Sequence, residues 1–100
     1  MLIKLSPYAP LPGSDEHLSL SRAGDVLTVN GQAFDFTPLP EGGELPSEAI
    51  GSELFAGPVA RRDGRLELIL RFPLAADASA AARFPEPLLI ETDGPVGLPR

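Results

Sequence analysis

The chain divides into stretches where apolar and polar residues alternate one by one, separated by clusters of proline, glycine and charge. The alternation is clearest from His17 to Phe36 (HLSLSRAGDVLTVNGQAFDF): Leu18 and Leu20 stand between His17, Ser19 and Ser21, Val26 to Val29 is rich in β-branched residues, and Asp35 separates Phe34 from Phe36. A period of two sends successive side chains to opposite faces, so each run predicts a half-buried strand. Ala23-Gly24-Asp25 supplies one turn, with Gly24 free to take positive φ; Asn30-Gly31 supplies the other, favoured in two-residue hairpins because both positions need φ > 0. The expectation is a three-stranded meander with Leu18, Leu20, Leu27, Val29, Phe34 and Phe36 toward the core. Leu27 and Val29 then lie opposite Leu18 and Leu20, while Ser19, Ser21, Thr28 and Asp35 face water. A slip of one residue would reverse every assignment, so the alternation itself sets the register.

A second unit runs from Leu54 to Phe72. Phe55 and Val59 share one side, Pro58 demotes their strand to an edge or a bulge, and Arg62-Asp63-Gly64 reads as the turn. Leu66, Leu68, Leu70 and Phe72 then alternate with Arg65, Glu67, Ile69 and Arg71, four large apolar groups on one face. Ile69 interrupts the polar side, which predicts that part of that side is covered as well. Pro73 ends the strand. Asp77 to Arg83 (DASAAAR) predicts a short helix with Asp77 as its N-cap, stopped at Phe84-Pro85. Leu88 to Ile90 predicts a last strand, followed by an Asp93-Gly94-Pro95 turn and a loose tail over 95–100. Residues 1–14 are expected as an extended N-terminal segment and 37–53 as an acidic connecting loop rich in proline and glycine. Within that loop Ser47 is expected to cap one helical turn to Ile50, closed by Gly51. The fold class is mainly β: five to seven short antiparallel strands in a small sheet, sandwich or barrel of hairpin meanders, with one short helix.

Composition narrows this picture. One hundred residues fit a single domain, and 12 prolines with 10 glycines demand many turns and strand ends. Without cysteine there is no disulfide framework and no thiolate metal site. A net charge of −6 argues against a nucleic-acid partner, since neutralising phosphates needs a basic surface. The run Met1-Leu2-Ile3-Lys4-Leu5 is broken by Pro7 too early for a signal peptide, and no apolar stretch approaches the roughly 20 residues of a membrane span. The expected setting is the cytoplasm.

Candidate chemistry is sparse. His17 follows Asp15 and Glu16, but it is the one histidine and there is no cysteine to complete a metal site or a triad. None of Ser14, Ser19, Ser21, Ser47, Ser52 and Ser79 stands in a G-x-S-x-G frame. Gly42-Gly43 lacks the lysine and helix start of a phosphate loop. No catalytic, cofactor-binding or metal-binding residue is therefore assigned, and no cofactor is expected. Charge is distributed unevenly. Glu41, Glu44, Glu48 and Glu53 carry no basic neighbour, whereas Arg61, Arg62, Arg65 and Arg71 face only Asp63 and Glu67. The acidic loop and the arginine-bearing hairpin could pair within one molecule, between copies or with a partner, or remain two solvated surfaces. Exposed strand edges offer a further route to a protein partner, because main chain alone can add a strand.

The stretches LSRAGDVLTVNG with FDFTPLPEGGELP, then DGRLELILRFPL, then ARFPEPLLIETDGPVGLP, resemble a group of small uncharacterised proteins encoded near tail genes in bacteriophages and prophages. The resemblance spans Leu18 to Pro99 and implies a role around the tail or its fibres, in the host-cell cytoplasm or on the virion; it carries no site residues with it. Three functions are thus expected in order: a non-enzymatic binding or assembly module, which the resemblance narrows to a tail-associated accessory or structural protein; a small carboxylate-dependent hydrolase or carbohydrate-active protein; and an inhibitor or regulator whose acidic loop masks a partner. A protein partner or self-association is expected, with no membrane.

Overall fold

The computed structural model describes residues 1–13 and 16–99, and within them the alternating runs become strands of two facing sheets. In chain order these are β1 (Leu2–Tyr8), β2 (Leu20–Ala23), β3 (Val26–Val29), β4 (Gln32–Asp35), β5 (Glu44–Leu45), β6 (Val59–Arg62), β7 (Arg65–Pro73), β8 (Leu88–Leu89) and β9 (Gly94–Val96), with short helices α1 (Ser47–Ile50) and α2 (Ala80–Arg83). One sheet has the order β5-β6-β7-β1-β8 and the other β4-β3-β2-β9. Neither closes into a barrel.

The meander forms as its turn chemistry dictates. Leu20 pairs with Val29 and Leu27 with Phe34. Asn30 (φ 49°) and Gly31 (φ 83°) both take the left-handed conformation that a type I′ turn requires. Leu18 differs from expectation: β2 starts only at Leu20, and Leu18 is partly buried. The Asn30 side chain explains why. It accepts from the Ser19 N–H at 2.7 Å and donates to the His17 carbonyl at 2.9 Å, so a side-chain bond takes one side of the pair while the Asn30 N–H still donates to the Ser19 carbonyl at 2.9 Å.

The second hairpin turns at Asp63 (φ 53°) and Gly64 (φ 74°) and pairs Ala60 with Glu67. Phe55 then bridges Leu70, two positions out of that register. The extra residues include Gly57 and Pro58, so Pro58 lies in a bulge where its missing N–H costs no ladder bond. Gly57 sits over Ile69, close enough that an added Cβ would approach Ile69 Cδ1 to 3.2 Å; this covers the break in the polar side of β7.

The N-terminal residues are the main departure. Leu2–Tyr8 is an internal strand of its sheet, parallel to β7 from Leu2↔Glu67 to Tyr8↔Pro73 and antiparallel to β8 at Leu2↔Leu89 and Ile3↔Leu88. Met1 exchanges main-chain bonds with Ile90 (2.8 and 2.7 Å), which turns the odd-numbered residues of β1 toward β8. Pro7 shares that parity and lies beyond the end of β8, so the strand tolerates it. The sheet is accordingly mixed rather than wholly antiparallel. The 95–100 segment is corrected too. Pro95 and Val96 pair with Ser21 and Leu20, so Gly94-Pro95 is strand and not turn. The 37–53 segment is structured at its centre by β5 and α1.

Both helices exist, with different caps. Pro46 occupies the N-cap of α1 without a side-chain bond, and Gly51 ends it at φ 77°. Ser79, not Asp77, caps α2 by accepting the Ala82 N–H at 3.2 Å. Starting there shortens the helix to Ala80–Arg83, and Pro85 prevents its extension.

Between the sheets lie Ile3, Leu5, Val59, Leu66, Leu68, Leu70 and Phe72 from one side, and Leu20, Leu27, Val29, Phe34 and Phe36 from the other, all buried. Phe55 meets Phe34 and Phe36 edge-on at centroid distances of 5.0 and 6.1 Å, an arrangement worth about 0.5–1.5 kcal/mol per pair beyond area burial. Arg61 is the polar counterpart of this contact. Strand parity turns it inward opposite Leu66, where its guanidinium donates to the carbonyls of Leu39 (2.7 Å) and Phe36 (3.0 Å) and pairs with Asp25 at 3.1 Å. Its side chain is 14% exposed, and the fork ties β6 to both ends of the β3–β4 hairpin.

Leu68→Ala is expected to leave a cavity and cost about 2–5 kcal/mol in a denaturant melt. Arg61→Lys keeps the charge but loses the planar fork, stranding at least one acceptor; the expected loss is about 1–3 kcal/mol by the same measurement.

Candidate functional site

Four chain segments leave the sandwich at one end without closing over it. Residues 9–13 continue from β1, residues 74–78 continue from β7, residues 16–19 lead into β2, and residues 97–99 follow β9. The first two remain in step through the Leu74 N–H, which donates to the Tyr8 carbonyl at 2.9 Å. Buried Ala82 anchors α2 beside them. Together they bound a groove of about 1230 Å³. Leu18, Leu74, Val96 and Leu98 are partly buried along it, and Leu11, 80% exposed, stands at its lip.

The ionisable side chains on this groove are Glu16, His17, Asp77 and Arg83. Glu16 accepts a hydrogen bond from the Tyr8 phenol at 2.9 Å, and the Arg71 guanidinium lies 4.3 Å above the Tyr8 ring. Burial, then the Glu16 carboxylate, hold the phenol above its ordinary value, with Arg71 opposing. Glu16, His17 and Asp77 are all exposed, a setting without the water exclusion that acid–base catalysis uses. Asp15 and Ser14 lie outside the described residues.

The remaining candidates have structural work. Ser79 caps α2, and Ser52 Oγ accepts the Leu54 N–H at 3.2 Å. The Gly42 and Gly43 N–H groups donate to the carbonyls of Arg61 (2.8 Å) and Pro40 (2.9 Å), which turns them away from any phosphate. A Cβ at Gly43 would meet the Pro40 carbonyl oxygen at 2.9 Å, so this glycine serves a tight turn. Among the described residues no group of three or more His, Cys, Asp and Glu is placed to hold a metal ion. No helix among them is long and apolar enough to cross a membrane.

The acidic loop and the arginine hairpin meet within the molecule. Glu41 accepts the Gly64 N–H at 2.6 Å, and Glu44 lies 3.8 Å from Arg62. The second contact is exposed and contributes little. The strand edges also resolve. β7 is internal, flanked by β6 and β1. β5 and β8 are two residues long, and β9 carries Pro95. On β4 the ladder to β3 turns the N–H and C=O of Ala33 and Asp35 outward, because Phe34 and Phe36 use theirs inward. The Asp35 carboxylate accepts from Thr37, side chain and main chain, which holds it below the ordinary aspartate value.

The sequence pattern places two of the groove's walls in an N-terminal extension and a tail, His17–Leu20 in a strand and Asp77–Arg83 in a helix, and nothing in it brings the four together. The available signal was apolar content without periodicity: Leu11, Leu74, Val96 and Leu98 stand in segments dense in proline. Comparison with protein-family models, with curated proteins and with solved structures finds no match, so the chain's own geometry is what speaks to its function.

Proposed function

We propose that this chain is a non-enzymatic binding module that seats an apolar segment of another protein in its end groove, acting as a tail-associated assembly component in a phage or prophage. The groove carries the reading. Its volume of about 1230 Å³ exceeds the roughly 300–1,000 Å³ of small-molecule sites, and it is open to solvent along extended main chain. Leu18, Leu74, Val96 and Leu98 give it apolar walls, and Leu11 holds a large apolar side chain in water at the lip, where a partner would cover it. The likeness of LSRAGDVLTVNG and DGRLELILRFPL to proteins encoded beside tail genes supports the choice of partner.

Co-expression with the products of its neighbouring genes tests this reading, using the Leu11→Asp variant as the control on the groove. Leu11 is 80% exposed, so the variant keeps the fold and its melting temperature. Co-elution with a tail or fibre protein that is lost in Leu11→Asp is the expected result. Absence of co-elution, or co-elution indifferent to the substitution, overturns it. Release of reducing sugar from a polysaccharide by the purified chain, abolished in Glu16→Gln, would replace it with a carboxylate-dependent hydrolase acting in the same groove.

A further inference from the structure

Three turns of the chain place an asparagine or aspartate before a glycine: Asn30-Gly31, Asp63-Gly64 and Asp93-Gly94. Such a pair can react with itself, because a glycine nitrogen, with no Cβ beside it, can reach the carbonyl carbon of the preceding side chain. Two of the three are held. The Gly64 N–H donates to the Glu41 carboxylate at 2.6 Å. Gly94 pairs with Arg22 in the β9 ladder, and the Asp93 carboxylate accepts the Gly24 N–H at 2.9 Å. Asn30-Gly31 is different. The Gly31 N–H has no partner among the described residues, and an added Cβ there would meet nothing within 4 Å. Both residues are exposed, and a carboxamide is a better electrophile than an ionised carboxylate.

Asn30 is the only asparagine of the chain, and its side chain has two partners. Oδ1 accepts the Ser19 N–H at 2.7 Å, and Nδ2 donates to the His17 carbonyl at 2.9 Å. His17, Leu18 and Ser19 line the end groove, with Leu18 partly buried, so the tip of the β3–β4 hairpin steadies one groove wall. An ionised aspartate accepts hydrogen bonds but donates none. At position 30 it would keep Ser19 and turn an oxygen toward the His17 carbonyl oxygen, where the amide donor stood.

We propose that Asn30 is a deamidation site, and that its conversion slackens the wall of the groove formed by His17, Leu18 and Ser19. The Gly31 nitrogen attacks Asn30 Cγ and gives up its proton, the Cγ–Nδ2 bond breaks, and Nδ2 takes up a proton and departs as ammonia. A five-membered succinimide remains. Water then opens the ring. Cleavage of its bond to Cγ gives aspartate, and cleavage at the main-chain carbonyl gives isoaspartate, in which the chain runs through the former side chain. Water is the only co-reactant, and each ammonia lost leaves one carboxylate in its place. Isoaspartate adds a methylene to the main chain of the turn, which the type I′ geometry does not accommodate. An effect on binding rests on the groove reading, whereas the chemistry and the loosening do not.

The test is incubation of the intact chain at mildly alkaline pH beside a urea-unfolded reference, followed by peptide mass mapping and amide NMR. Residue 30 should gain the mass of an amide-to-acid exchange. It should do so more slowly than in the unfolded chain, because attack requires the carboxamide to leave Ser19 and His17. An isoaspartyl methyltransferase should label residue 30 and leave residue 63 unlabelled. In the aged chain and in Asn30→Asp, heteronuclear NOE values at His17 and Leu18 should fall while those from Arg62 to Arg65 stay as they were. Asn30→Gly keeps the left-handed turn and loses both side-chain bonds, so it should show the same loosening and gain no mass. A folded chain still unconverted after many half-times of the unfolded one, isoaspartate at residue 63 in preference to residue 30, or an Asn30→Asp chain with His17 and Leu18 as ordered as before would overturn the proposal. None of these readouts needs a groove partner, so this proposal and the binding function fail separately.

Discussion

The parallel pairing of β1 with β7 is the constraint on which the remaining architecture depends. It places Ile3 and Leu5 beside Leu68 and Leu70, and these side chains supply the centre of one wall of the core. The pairing joins the first residues of the chain to residues well past its middle, so the entropy of closing a long loop must be met before burial repays it. Once β1 is docked, β8 has a strand to pair with through Leu88 and Leu89, and Met1 bonds to Ile90. The exits of β1 and β7 then leave the sheet side by side, and that parallel departure builds one wall of the end groove.

Inter-sheet packing depends on a second arrangement, in which aromatic and charged contacts work at different places. Phe55 is brought between Phe34 and Phe36 by the bulge at Pro58. Arg61 reaches across from the inner side of β6 to Asp25 and two carbonyls. A partly buried cation is tolerated here because three acceptors surround it and its side chain retains some solvent contact.

Much of this was legible from local pattern. The meander, the Asn30-Gly31 and Asp63-Gly64 turns, the inward leucines of β7 and the bulged position of Pro58 all follow from alternation and turn chemistry, which act over a few residues. What was not legible is tertiary. The Ile3–Leu5 alternation was present, but the partner of β1 is set by a pairing that no local rule identifies. Pro7 lies within that strand, and only the early end of β8 shows why it is harmless. Asp77 and Ser79 are both acceptable N-caps, and docking of Ala82 decides between them. The arginines of the second hairpin looked alike in sequence, yet parity sends Arg61 inward and Arg62 outward. The groove was hidden for a related reason: its walls are irregular segments whose apolar residues have no period, so burial there comes from the way four segments converge.

The treatment of sheet borders has a consequence for how copies of this molecule can associate. Two borders are only a pair of residues long and a third carries proline, which leaves β4 as the one border with a longer run of outward main-chain groups among the described residues. Endless growth by main-chain pairing needs two usable borders on every unit, one to receive and one to offer. A unit with a single such border has nothing left to offer once that border is paired, so main-chain pairing between copies would stop at two instead of running on into a fibre.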